Sequence, residues 1–505
     1  MHPEHIRYVL KFKPIVEHYN SEIRLFLLSY SESAELLLSQ FEEKRLSDAD
    51  QYIFPKSLSD VDKHLIITSY IDSLEPNLNY IELVKNSKHL KLPPKILLKA
   101  KQKAKALQEK YFSEENSTKI SVAAGLDLSQ VEPVRFERRG TDTNVIYGGI
   151  YLDALASDME FINVFHQLFA YTDTEGFITL INKDSEMDGL EKVFMCSKNE
   201  YNNGIAFSHK NLLSLAQLGI ISHYLSRKQR KIEEVIQRFI EQFADNVKIT
   251  GLVFHMPQSE ASPSDKIRLL APEMEYLLKQ YKNYVTDGEI DHELLQIDST
   301  PLFYSEIPSL VDKKYVYSSH QTILKLQQYF FASHGILESR RRQKKHKNLF
   351  EVLISERVLQ TDLEDYQLSY LNQLVQEGFL TVNETGEYKM ANMVSIFIAG
   401  KLREYGSMSY WHYPLSIRMQ MDKLIADGIL ETTSKLFTQQ EVSYFNYYLN
   451  KKEFSNGLDL RNKYLHGSNS RTSEQQEMDY LYFLRTLVLV LLKLNDDAQL
   501  KVKVG

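Results

Sequence analysis

Gly457-Leu458-Asp459-Leu460-Arg461-Asn462-Lys463-Tyr464-Leu465-His466-Gly467 lies near the C-terminus, between a helix with a capped start and one that is almost wholly apolar. Arg461, Asn462 and His466 form a short, dense set of groups able to handle a phosphate. Arginine stays charged and offers a planar fork to phosphate oxygens. Imidazole exchanges its proton near neutral pH. On a regular helix five residues advance roughly 500°, which leaves Arg461 and His466 roughly 140° apart, while Asn462 and His466 at i, i+4 are only about 40° apart. Asn462 is thus placed to fix the imidazole, and Arg461 to face a neighbour. Asp459 and Lys463 have the spacing of an ordinary helical ion pair.

The flanks read as helices. Thr438-Gln439-Gln440-Glu441 is a capping-box pattern, in which hydroxyl and carboxylate satisfy the first free amides, and Val442, Phe445 and Leu449 follow at core spacing. Ser455-Asn456-Gly457 breaks that helix, and Gly467 suits a left-handed stop after the motif. Ser473-Glu474-Gln475-Gln476 can cap the last helix. Its face through Tyr480, Phe483, Leu484, Leu487 and Leu491 is broad enough to pack inside a bundle and against another subunit.

The R-N-x-x-x-H core, the glycine after it and the apolar helix beyond resemble the HEPN superfamily, small helical domains found in many metal-independent endoribonucleases and RNA-cutting defence toxins. The resemblance covers roughly the last 70 to 80 residues, about one small domain. It implies Arg461, Asn462 and His466 as catalytic residues, RNA as substrate, and neither cofactor nor metal. It further implies a homodimer through the C-terminal helical domain, in which two motif helices meet across a twofold axis and share one cleft. The RNA 2′-hydroxyl would attack the adjacent phosphate, leaving a 2′,3′-cyclic phosphate and a 5′-hydroxyl, and DNA would not be cut. His466 at a helix C-terminus would favour its protonated form, as general acid or electrostatic partner. The implied setting is a toxin or abortive-infection effector of bacterial anti-phage defence, with the front of the chain sensing a phage or cellular trigger. Two other readings stand beside it: a catalytically inactive HEPN module that binds RNA or nucleotide or serves as a scaffold, and a winged-helix DNA-binding protein.

Spacing alone is weak: Arg341 and His346 repeat it inside a basic run. That run, with Arg340, Arg341, Arg342, Lys344 and Lys345, is the candidate for RNA phosphate contacts. A net charge of −7 argues against a polycation that coats nucleic acid, so such contacts must be local.

A length of 505 residues with 43% hydrophobic content is enough for about three domains. The single cysteine, Cys196, excludes an internal disulfide framework and fits a reducing compartment. The N-terminus lacks a basic region followed by a long apolar run, and the segment from Tyr480 to Leu492 is too short to span a bilayer and is interrupted by Arg485. The expectation is a cytoplasmic protein with no membrane partner.

The fold expected is mainly α with a central α+β region and a C-terminal HEPN-like helical bundle. Residues 1–116 read as helical, ending in a helix where Lys95, Lys99, Lys101, Lys103, Lys105 and Lys110 alternate with apolar residues, a solvated face more than an RNA contact. Residues 117–319 read as mixed α+β, with strands expected over 144–147, 176–181 and 247–254. They carry no phosphate-cradling glycine motif, and histidines 166, 209, 223 and 255 lack ligand spacing. Residues 320–436 hold a weak repeat, 371–380 and 421–430, each a helix closed by glycine and followed by a strand; the first continues into a hairpin turn at 383–386, like a winged helix. Residues 437–505 form the motif domain.

Overall fold

The structure is a computed structural model and describes residues 5–42, 52–86, 90–111, 121–139, 142–183, 186, 199–332, 346–465 and 472–504. Cys196, the run from Arg340 to Lys345, His466 and Gly467 lie outside the described residues.

The N-terminal segment is helical: α1 (Ile6–Val9), α2 (Lys13–His18), α3 (Asn20–Ser29), α4 (Ser33–Leu38), α5 (Asp60–Asp72), α6 (Leu78–Asn86) and α7 (Pro94–Tyr111). They enclose their own core through Leu27, Leu38, Ile67, Ile81 and Ala100. Ser59 and Asp62 form a capping box at the start of α5, and Arg24 of α3 donates to both Asp62 oxygens at 2.8 and 2.9 Å. The Arg24 hydrogen bond is the main reason that carboxyl lies well below the usual range. On α7, Lys99 pairs with Asp72 at 2.5 Å, Lys103 donates to the Ser73 carbonyl at 2.9 Å, and Lys105 and Lys110 face Glu109 and Glu75. These lysines answer groups of their own chain, as a structural helix face does.

Strands β1 (Val122–Asp127), β2 (Val134–Arg139) and β3 (Asp142–Gly148) follow, in the order β1-β3-β2, with β1 parallel and β2 antiparallel to β3. The run 144–147 lies inside β3 as expected. A Cβ on Gly148 would strike the Glu132 carbonyl, and one on Gly149 would approach the Leu128 Cα at 2.6 Å, so this pair is needed for close backbone packing. Helices α8 (Gly149–Asp153), α9 (Asp158–Gln167), α10 (Ile205–Arg227), α11 (Ile232–Val247), α12 (Pro263–Asp287) and α13 (His292–Ile297) complete the region.

The other two expected strands are not strands. Residues 176–181 form a buried turn in which Gly176 has φ +76°, Asp173 Oδ1 accepts from the Glu175 and Phe177 amides at 2.9 Å, and the Ile178 amide donates to Glu441 at 2.9 Å. In 247–254, α11 runs to Val247 and Lys248 turns it left-handed at φ +61°. The extended chain beyond has side chains for partners: Gln280 bonds both the amide and carbonyl of Val253 at 2.8 and 2.7 Å, and Gln237 bonds Phe254 and Met256 at 3.0 Å. Carboxamides on α11 and α12 thus take the place of a neighbouring strand.

The next region contains β4 (Tyr315–Tyr317), α14 (Gln321–Phe331), α15 (Leu349–Ser355), α16 (Asp365–Gln376), β5 (Leu380–Val382), β6 (Tyr388–Met390), α17 (Met393–Tyr405), β7 (Ser407–Ser409), α18 (Leu415–Ala426) and β8 (Glu431–Thr433). The repeat is real at its helix ends: Gly378 and Gly428 take φ +78° and +70°, and the next residues, Phe379 and Ile429, bond back to Leu374 and Leu424. The copies then diverge. The first builds the hairpin β5–β6, whereas β8 joins β4 and β7 in a three-stranded sheet.

Finally α19 (Gln439–Leu449), α20 (Leu460–Leu465) and α21 (Ser473–Val504) form the C-terminal helices. Thr438 and Glu441 make the expected capping box. At α21 the cap sits one residue earlier than expected, since Thr472 and Gln475, not Ser473 and Gln476, exchange contacts at 3.4 Å. The four expected segments fall on three hydrophobic cores. Residues 437–505 share one with the central region, from Val145 to Tyr315 and from Leu436 to Leu500.

α21 is the axis of that shared core. Besides Phe483, Leu487 and Leu491 it buries Arg485, Lys493 and Asp497, each 0% exposed. Asp497 accepts from the Tyr281 hydroxyl at 2.6 Å, the Ser309 hydroxyl at 2.5 Å, the Leu310 amide at 2.7 Å and Lys314 Nζ at 2.6 Å. Lys493 donates to Glu441 at 3.0 Å, the Tyr315 hydroxyl at 2.7 Å and the Gly176 carbonyl at 2.7 Å. Among the described residues no helix is long and apolar enough to cross a membrane.

Breaking such a buried pair strands a charge, so Asp497→Ala is expected to cost about 3–5 kcal/mol in urea unfolding, and a cost below about 1 kcal/mol would contradict this role. Burial alone would raise the neighbouring Asp496 carboxyl, but Lys314, the His412 hydrogen bond and Lys493 outweigh it and hold it well below the usual range. A carboxyl depressed in the fold contributes stability above its unfolded pKa of about 4 and loses it as pH falls through the folded value. Asp496→Asn should therefore be less stable than wild type at neutral pH, with the gap narrowing below about pH 4.

Candidate active site

The loop between α19 and α20 is built from side chains that hold backbone. Asn456 brackets Tyr201, accepting from its amide at 2.9 Å and donating to its carbonyl at 2.8 Å, and the Ser455 amide donates to the Asn199 carbonyl at 2.8 Å. Gly457 passes so close to the end of α19 that a Cβ would meet the Asn450 carbonyl at 2.8 Å. The Leu458 amide then donates to the Tyr447 carbonyl at 2.7 Å, and Asp459 enters α20 with φ +57°. The motif helix is short and doubly anchored: Leu460 and Tyr464 are buried, and the Tyr464 hydroxyl donates to Asp479 of α21 at 2.8 Å.

Arg461 does face a neighbour, but the neighbour belongs to the same chain. Its Nη2 donates to Glu275 Oε2 of α12 at 3.0 Å, and its Nε lies against Oε1 of the same carboxylate. Its Nη1 reaches Asn462 Oδ1 at 3.4 Å. The Asn462 side-chain amide donates to Asp459 Oδ1 at 2.8 Å.

Arg461 and Asn462 open into a cleft of about 580 Å³ whose walls include Phe303, Lys451, Lys452 and Glu275. Lys452 Nζ sits 4.0 Å from the centre of the Phe303 ring. Glu453, which also lines the cleft, accepts hydrogen bonds from Ser443 and Asn446, both at 2.8 Å. The cleft thus gathers one guanidinium and two ammonium groups with the carboxylates of Glu275, Glu453 and Asp459, and Glu275 is the one on the guanidinium. Such a set can clamp a phosphate once Glu275 yields.

Arg461 and Asn462 share the cleft, His466 follows Leu465 outside the described residues, and Arg340, Arg341, Arg342, Lys344 and Lys345 lie outside them too. His346, at the end of the basic run, contacts Glu356 at 3.0 Å. Lys451, Lys452, Phe303 and Glu275 were not foreseen. The lysine pair was visible as the link between the capped helix and the glycine break. Glu275 and Phe303 come from distant segments, and nothing local announces them. Among the described residues no group of three or more His, Cys, Asp or Glu is placed to hold a metal ion.

Because Gly457 has backbone on its open side, Gly457→Ala is expected to cost about 1–3 kcal/mol in chemical unfolding and to loosen the 450–459 loop in hydrogen exchange. Unchanged stability and exchange would show that the loop does not depend on this approach.

No family model, curated protein or solved structure matches the chain.

Proposed function

We propose that the Arg461 cleft is the active site of a metal-independent endoribonuclease of HEPN type. The observation that carries this reading is the convergence of Arg461 and Asn462, the first two members of R-N-x-x-x-H, with Lys451 and Lys452 on one cleft of RNA-phosphate character. Arg461 binds the scissile phosphate and stabilises the charge that builds on the phosphorane, aided by the two lysines. His466, two residues after Tyr464 in the sequence, exchanges the proton as the 2′-hydroxyl attacks and the 5′-oxygen leaves. The apolar face of α21 is taken up inside its own chain, so the second copy in the dimer enters across the mouth of the cleft, beside the exposed Leu465. The biological setting that goes with this reading is an effector of anti-phage defence whose front part receives the trigger.

The ion pair between Arg461 and Glu275 favours a second reading, a module that binds RNA without cutting it. Both readings require phosphate to displace the carboxylate. Glu275→Gln, which keeps the shape and removes the competing charge, is expected to tighten RNA binding at low salt severalfold, an effect of the order of 1 kcal/mol for a part-exposed pair. Weaker binding would mean that Glu275 positions Arg461 and does not compete for it.

Cleavage separates the two. Total RNA incubated in EDTA with wild type, Arg461→Ala and His466→Ala should be cut by wild type alone, leaving 2′,3′-cyclic phosphate ends. Binding that depends on Arg461 without cutting, in wild type and Glu275→Gln alike, would select the binding module. Cutting that persists in both alanine variants would place the chemistry elsewhere.

A further inference from the structure

Two hollows meet beside the C-terminal turns of α21, away from the Arg461 cleft and sharing no lining residue with it. The first, about 560 Å³, is lined by Trp411, Tyr413, Arg418 and Lys503 among others, and among the described residues no Asp or Glu lines it. The second, about 340 Å³, is lined by Asn163 and Gln167 of α9 and by Asn495 and Gln499 of α21. His412 and Lys503 line both, so the two adjoin.

Arg418 is the informative group. Its guanidinium lies 5.0 Å from the centre of the Trp411 ring, which is itself fixed by donation from Nε1 to the Asp312 carbonyl at 2.7 Å. Asp422, one turn further along α18, is engaged elsewhere, accepting from the Tyr410 hydroxyl at 2.9 Å and facing Lys313 at 3.4 Å. Among the described residues Arg418 has neither ion pair nor hydrogen bond from its side chain, and its Nε is buried. The nitrogens that an anionic ligand could reach are Nη1 and Nη2, which have no hydrogen-bond partner among the described residues and are not buried. α18 also begins behind Pro414 with no side-chain cap, which adds the positive end of a helix to the same wall.

The second hollow differs in chemistry. Of its two carboxylates, Asp173 accepts from the Tyr405 hydroxyl at 2.6 Å, while Asp496 faces His412 at 3.1 Å and Lys314 at 3.4 Å and keeps Oδ2 buried without a hydrogen bond. Its four carboxamides, at i, i+4 on two packed helices, make no hydrogen bond among the described residues. Carboxamides present paired donors and acceptors, the complement of a heterocyclic base edge.

We propose that the adjoining hollows bind a mononucleotide, with its phosphate on Arg418 and Lys503 and its base among Asn163, Gln167, Asn495 and Gln499. The volumes suit a small ligand. The site is independent of the reading of Arg461, and its test needs no RNA cleavage.

The experiment is calorimetric titration of the full chain with AMP, GMP, CMP and UMP, with inorganic phosphate and with a short single-stranded RNA. At least one mononucleotide should bind with Kd below about 1 mM and more tightly than phosphate. Arg418→Ala should weaken it about tenfold or more, Arg418→Lys should recover part of the loss, and Asn495→Ala with Gln499→Ala should alter the preference among bases. Urea midpoints confirm that each variant is folded. Absence of mononucleotide binding to folded wild type overturns the proposal, as does binding that Arg418→Ala leaves unchanged. RNA binding through Arg418 without mononucleotide binding would overturn it in favour of a nucleic-acid surface.

Discussion

The fold depends on a carboxylate that has no contact with water. Asp497, on the central helix α21, receives four donors, from α12, from the 309–310 segment and from the buried ammonium of Lys314. Four residues earlier, Lys493 joins Glu441 of α19 to the buried turn at Gly176. Charges in such surroundings are costly unless they are paired and hydrogen-bonded. The consequence is registry: α21 can neither slide nor rotate without stranding a charge, so α12 and α19 are fixed against it. Hydrophobic burial supplies the driving force for collapse, and these groups select one arrangement of the collapsed helices.

The candidate active site inherits its geometry from that arrangement. α20 is too short to be stable alone. It is held by Tyr464 on Asp479 of α21, by Gly457 against the end of α19, and by Arg461 on Glu275 of α12. The three elements that the buried charges lock together are the same three that carry the cleft. Its contacts grade from rigid at Tyr464 to exchangeable at Arg461, where a part-exposed carboxylate holds the guanidinium. A phosphate can replace that carboxylate without repacking the core.

Much of this was legible in the sequence where the cause is local. Thr438 and Glu441 announced a capping box, Gly378 and Gly428 announced left-handed helix ends, and the lysines of α7 read as a solvated helix face. The mainly α class and the run inside β3 followed from periodicity and composition. Reading failed where a distant residue does the work. The runs 176–181 and 247–254 look like strands because their residues are apolar and β-branched, but Glu441, 263 residues away, and Gln237 and Gln280 on the flanking helices take up backbone groups there in place of a neighbouring strand. The motif revealed Arg461 and Asn462 by type and spacing, while Glu275, the group that decides what Arg461 can bind, lies 186 residues away. Arg418 and its carboxamide neighbours belong to the same class, because α9, α18 and α21 meet only in the folded chain.

The most direct test of the central claim, that the Arg461 cleft receives an RNA phosphate, is the salt dependence of binding to a 2′-O-methyl oligonucleotide that cannot be cleaved. In fluorescence anisotropy across a salt series, wild type should bind with a log–log slope that Arg461→Ala reduces in magnitude by about 0.7, the signature of one lost phosphate contact on a single strand. Equal affinity and equal slope in wild type and Arg461→Ala would contradict the account and remove the cleft from RNA recognition.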